Sequence, residues 1–134
     1  MKDHPIRAYM TTVRFAVAPG DPITRARELM QANAIRHLPV VDADGAVVGI
    51  VSIGDLYATE AIAELDPDRT EVEHAMSQDV YTVGPDTPLA EVAEGLAERH
   101  VGSAVVVEGG RLVGLFTGTD ALRVLARVLR GERG

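Results

Sequence analysis

The chain has 134 residues, a length that suits one domain of roughly 150 residues. Hydrophobic residues make up 46% and charged residues 25%, which excludes a disordered, collagenous or coiled-coil chain. There is no cysteine, so disulfide frameworks, thiol nucleophiles and thiolate-bound zinc are excluded, and a net charge of −7 with only 4% aromatic residues argues against a nucleic-acid partner. The missing cysteine suits a reducing cytosol, and a cytoplasmic location is expected. Met1-Lys2-Asp3-His4-Pro5 leads into no apolar stretch, so no signal peptide is visible. The longest strongly apolar run, Ala46 to Val51, contains Gly49 and falls far short of the ~20 residues of a membrane span, so no membrane partner is expected.

In chain order, Val13 to Val17 is a short β-rich stretch ended by Pro19-Gly20-Asp21-Pro22. A helix is predicted from near Pro22, with Ile23, Ala26, Leu29 and Met30 at helical spacing. Two strands follow, Leu38–Val41 and Val47–Val51, joined by Asp42-Ala43-Asp44-Gly45, a turn of residues that tolerate positive φ. A second helix closes the unit. The acidic residues Glu60, Glu64, Glu71 and Glu73 gather in and beside the stretch that follows and read as a solvated face.

The same order then returns. Met10-Thr11, Pro22 and Leu38–Val41 have counterparts 66 positions later in Met76-Ser77, Pro88 and Ala104–Val107. At an offset of 65, Gly49 to Asp55 matches Gly114 to Asp120. The second copy has a β-rich Val80–Val83 and a helix from near Pro88 carrying Leu89, Val92, Ala93 and Leu96. Its strands Ala104–Val107 and Leu112–Phe116 flank the turn Glu108-Gly109-Gly110-Arg111. A last helix from Gly118 to Arg130 is expected to face Ala121, Leu122, Leu125, Val128 and Leu129 inward. The fold class is α+β, with an α/β-like order: two β-α-β-β-α repeats at 6–60 and 76–130 around a connector at 61–75. A unit of about 50 residues buries too little surface to be stable alone, so the copies are expected to pack with pseudo-twofold symmetry.

Chemistry concentrates at Ser52-x-x-Asp55 and Thr117-x-x-Asp120, each where a strand turns into a helix. A carboxylate there can accept both hydroxyls of a ribose, and a hydroxyl beside free helix N–H groups suits a phosphate. The other reading is a capping box, with Ser or Thr as cap and the acid three residues on. Phe15 and Tyr81, 66 apart, either flank an adenine or belong to the core. No Walker loop, Gly-x-Ser-x-Gly elbow or dinucleotide glycine motif occurs, and His4, His37, His74 and His100 lack metal-ligand spacing, so neither enzyme, catalytic cofactor nor metal is expected. Arg123, Arg127, Arg130 and Arg133 read as favourable charge toward a helix C-terminus, or as a surface for an acidic partner.

The duplicated order Met-Thr, proline-led helix, Leu38-Pro39-Val40-Val41-Asp42, acidic-glycine turn and Gly-x-x-Ser-x-x-Asp resembles a cystathionine-β-synthase-type (CBS) domain. Two tandem copies resemble a CBS pair, or Bateman module, over about residues 6 to 130. The resemblance implies a sensor, with some members acting in stress or hypoxic responses. It implies an adenine nucleotide ligand (AMP, ADP or ATP, less readily S-adenosylmethionine or NAD). It places Thr117 and Asp120 with Arg14, Phe15, Ile35, Arg36, His37 and Pro39, where Arg36 and His37 would meet phosphate. It places Ser52 and Asp55 with Val80, Tyr81, Val101, Gly102, Ser103 and Val105, a cleft without a cation. It also implies a homodimer through helices, with the faces Leu56–Leu65 and Leu122–Leu129 as candidates and Ala58, Ala61 and Ala63 allowing close approach. Signalling would pass to an unknown partner protein. The alternative is a constitutive dimeric interaction module with no ligand.

Overall fold

The computed structural model describes residues 4–13, 15–62 and 66–131. Arg14, Ala63, Glu64, Leu65 and Arg133, named above, lie outside the described residues. The chain forms two compact units, Arg14–Val80 and Met1–Val13 with Tyr81–Gly134.

In the first unit, α1 (Ile23–Asn33) starts after Pro22, whose φ of −69° suits a helix cap and whose missing N–H has no helical partner to lose. It buries Ile23, Ala26 and Met30 and stops at Ala34, which turns left-handed at φ 53°. Strands β2 (His37–Val41) and β3 (Val47–Ser52) form an antiparallel hairpin. The Asp42 carboxylate, accepting from the Asp44 and Ala46 N–H groups, and Gly45 at φ 84° close its turn. Val17 bridges parallel to Val40 and Ser77 antiparallel to Ile50, so both hairpin edges are covered. Helix α2 (Ile53–Glu60) follows. The core joins Val17, Ile23, Leu38, Val40, Val51 and Leu56 with Val72. Val72 lies in the stretch expected as connector, where a 3-10 turn (Val72–His74) donates its Val72 N–H to the Asp21 carbonyl at 2.7 Å.

The second unit repeats this order, with more regular strand pairing and a longer last helix. A 3-10 turn at Ile6–Ala8 donates its Ile6 N–H to Thr87, and Ile6 is fully buried. Strand β1 (Thr11–Thr12) pairs with β6 (Arg111–Thr117), β6 with β5 (Ser103–Glu108), and β5 in parallel with β4 (Thr82–Val83). Helices α3 (Leu89–Arg99) and α4 (Gly118–Leu129) complete it. Its core is Ile6, Val92, Leu96, Ala104, Val106 and Phe116. So the opening segment of each repeat packs into the unit formed by the body of the other. The reason is local: Gly114 and Gly49 lack the Cβ that would fall 2.2 Å from the Met10 sulfur and 2.5 Å from the Met76 sulfur. Each glycine admits the methionine of the segment that lies across it.

Three expectations are corrected. Regular pairing in the first β-rich stretches shrinks to Val17 and to Thr82–Val83. Leu122, Leu125, Val128 and Leu129 do not face inward: they are 50–77% exposed, and only Ala121 of the predicted set packs on the core. Periodicity marks an apolar face without saying whether this chain covers it. Glu60 is not solvated either; it is half-buried in an ion pair with Arg27 of α1.

Candidate functional site

Both capping boxes form. The Asp55 N–H donates to Ser52 Oγ at 3.1 Å, and the Ser52 N–H to Asp55 Oδ2 at 2.8 Å. The Asp120 N–H donates to Thr117 Oγ1 at 3.4 Å, and the Thr117 N–H to Asp120 Oδ2 at 2.9 Å. The capping reading is therefore true, but it uses one carboxylate oxygen of each acid. Oδ1 is left for other work.

At Asp120, which is 9% exposed, Oδ1 takes the Thr11 hydroxyl at 3.4 Å and lies 3.7 Å from Arg123 Nη1. Beside it a cavity of about 270 Å³ is lined by Ala8, Tyr9, Met10, Asp120, Arg123, Val124 and Arg127. Thr11 and Arg123 stand outside both residue sets that the resemblance implies. Arg123 could have been found from its i+3 spacing to Asp120 on a helix. Thr11 could not, because the contact spans 109 positions of chain.

The structure places the other predicted residues as follows. In the second unit, Ser103 is buried opposite Thr117, Gly102 accepts the Gly118 N–H, and Val105 donates its N–H to the Tyr81 carbonyl. Val101 packs at the margin of that core. Tyr81 packs there too, under Arg99, whose guanidinium carbon lies 4.4 Å from the ring centroid. In the first unit, His37 lies opposite Ser52, the Arg36 carbonyl accepts the Ile53 N–H, and Pro39 accepts from Val17. Ile35 packs at the core margin, Val80 is half-buried, and Phe15 is 37% exposed. So His37 and Asp55, placed in different sets by the resemblance, share the first unit. Burial holds the His37 imidazole below its ordinary pKa, with Asp55 raising it and Arg36 lowering it further. Glu71, Glu73 and His74 bring one ligand atom each within 4.8 Å, on a largely exposed surface. Among the described residues no helix is long and apolar enough to cross a membrane.

Comparison with known proteins agrees with this architecture. The family model of the CBS domain matches residues 6–60 and 71–127, and the chain belongs to the CBS-domain family. A CBS domain-containing protein of Dictyostelium discoideum is 32% identical over 134 residues, covering 92% of each chain. The chain spans only 23% of a homoserine O-acetyltransferase of Methanococcoides burtonii, to which it is 35% identical over 118 residues, 87% of its own length. Enzyme names among such relatives belong to proteins of which the CBS pair is a small part. An uncharacterized conserved protein of Pyrococcus horikoshii is similar in structure, with a TM-score of 0.82 and 31% identity over 95% of this chain and 96% of that one. The structure of CBSX2 in complex with AMP gives a TM-score of 0.78 and 25% identity over 94% of this chain and 98% of that one.

Proposed function

We propose that the chain is a non-catalytic regulatory module that binds an adenine nucleotide at Asp120. AMP, ADP and ATP are the first candidates, S-adenosylmethionine and NAD the next. The observation that carries this reading is the division of labour within one buried carboxylate. Oδ2 holds the helix cap, while Oδ1, beside a cavity, meets only a hydroxyl and a guanidinium among the described residues. A ribose hydroxyl can replace the long Thr11 contact without unmaking the cap. CBSX2, which shares the fold, has been solved with AMP. A nucleotide would act only through unequal affinity for two arrangements of the module, and the output would reach a partner protein. The exposed Leu122, Leu125, Val128 and Leu129 face of α4 is proposed to be covered by a second copy.

A thermal-shift titration of the whole chain against AMP, ADP, ATP, NAD and S-adenosylmethionine tests this. A ligand at 100 times its dissociation constant adds about 2.7 kcal/mol of stability. Asp120→Asn keeps an oxygen for the Thr117 N–H but removes the charge, so a rise in midpoint in the natural chain should vanish in this variant. No rise with any ligand overturns the reading. Light scattering, with Leu125→Asp as control, should give twice the chain mass for the natural protein; a monomer would reject the dimer. The complete capping boxes favour one second reading, a constitutive interaction module whose acids only cap helices. Ligand-independent dimerisation with no thermal shift is its signature.

A further inference from the structure

Capping does not account for the company Asp120 keeps. Arg123 stands on the next turn of α4 and its Nη1 turns back toward Asp120 Oδ1. A cation in the first half of a helix gains nothing from the dipole, so the C-terminal explanation fits Arg127, in the last turn, but not Arg123. Asp120, Arg123 and Arg127, at spacings of three and seven, share one helix face, and that face walls the 270 Å³ cavity against Ala8–Met10. Arg127 pairs with no acidic group among the described residues. Two arginines thus line a cavity with one carboxylate, in a chain whose net charge is −7. That is a local reversal of sign.

We propose that Arg123 and Arg127 form an anion site continuous with Asp120 that takes the phosphate chain of a nucleoside di- or triphosphate. This rests on the nucleotide reading of Asp120 above. The carboxylate accepts ribose hydroxyls and repels phosphate, so the phosphates run away from it along α4. Arg123 comes first. Arg127 follows about 6 Å further along the axis, four residues at 1.5 Å each. Each guanidinium can hold a phosphate through two parallel hydrogen bonds. One phosphate reaches the first arginine and a longer chain reaches both, so the site discriminates ADP and ATP from AMP.

Calorimetric titration of the full chain tests this with adenosine, AMP, ADP, ATP and tripolyphosphate alone, in the natural protein and in Arg123→Gln and Arg127→Gln. Both arginines are exposed, so neither change threatens the fold. ADP and ATP should bind at least tenfold more tightly than AMP. Arg127→Gln should remove that advantage while leaving adenosine and AMP within about twofold. An unchanged order of affinities in Arg127→Gln overturns the inference. Tripolyphosphate binding that Arg127→Gln abolishes, with no adenine compound bound, would sink the nucleotide reading but keep the anion site. No binding of tripolyphosphate or of any nucleotide overturns both.

Discussion

The two repeats share a backbone plan and differ in what they present around it. The groups that make the plan are duplicated: the buried Ile6 and Val72, the Met–Gly pairs Met10–Gly114 and Met76–Gly49, and the capping boxes. The groups facing the carboxylates have diverged. Beside Asp120 stand Thr11, Arg123 and Arg127, and Ser103 lies opposite Thr117; the matching positions of the first unit hold Ser77, Ala58 and Ile62, with His37 opposite Ser52. Ser77 does not copy Thr11: among the described residues no hydrogen bond joins it to Asp55, and its hydroxyl accepts the Asp79 N–H at 3.3 Å. The aromatic pair diverges too. Gly95 leaves room for Tyr81, whereas the matching Leu29 packs at its core margin and Phe15 is left 37% exposed. The positions that bury or bend the chain match between the repeats, and those beside the two carboxylates differ.

The largest test of that contrast lies in the cores. Phe116 and Val51 occupy matching, fully buried positions. Phe116→Ala should cost about 3–5 kcal/mol in urea unfolding of the whole chain, and Val51→Ala clearly less, because the smaller side chain leaves the smaller cavity. Equal losses would show that the cores are not packed as differently as their side chains suggest. Next is the aromatic pair. A Cβ at Gly95 would fall 2.1 Å from the Tyr81 hydroxyl and 2.5 Å from its Cζ. Gly95→Ala should therefore push the ring outward, away from Arg99, at a cost of about 1–3 kcal/mol. Tyrosine fluorescence and denaturant midpoint report it, and an unshifted midpoint would mean that the ring has another place to go.

The smallest effect is a pH slope. An unfolded histidine titrates near ~6.5, and burial lowers His37 in the folded chain. Its neutral form is thus favoured by folding. The stability tied to it is complete above pH ~6.5 and is lost as pH falls through the lowered folded value. His37→Ser, which copies Ser103 of the other repeat, should flatten the decline in melting temperature below that pH. An identical slope in both proteins would remove His37 as a cause of acid sensitivity.

Much of this protein could be read before any coordinates. The 66-residue offset, the proline-led helices at Pro22 and Pro88, the hairpin turns at Gly45 and Gly109-Gly110, and the boxes at Ser52 and Thr117 all follow from rules within a few residues of chain. The two readings of those boxes could not be separated by sequence, because capping and ligand binding ask for the same residues. Only the structure shows that the cap engages Oδ2 of Asp120 while Oδ1 faces Thr11 and Arg123. The uncovered face of α4 was equally hidden, since helical spacing records amphipathicity and not its partner.

What the sequence determined by itself is the duplicated local plan, because caps, turns and periodicity act over one or two turns of chain. What tertiary structure alone decided is which segments meet. Residues 6–13 pack into the unit of the second repeat and 72–77 into that of the first. The Thr11 hydroxyl arrives at Asp120 across 109 residues. Burial of Ile6 and Val72, and the room left by Gly114 and Gly49, select those long-range neighbours, and no local propensity encodes them.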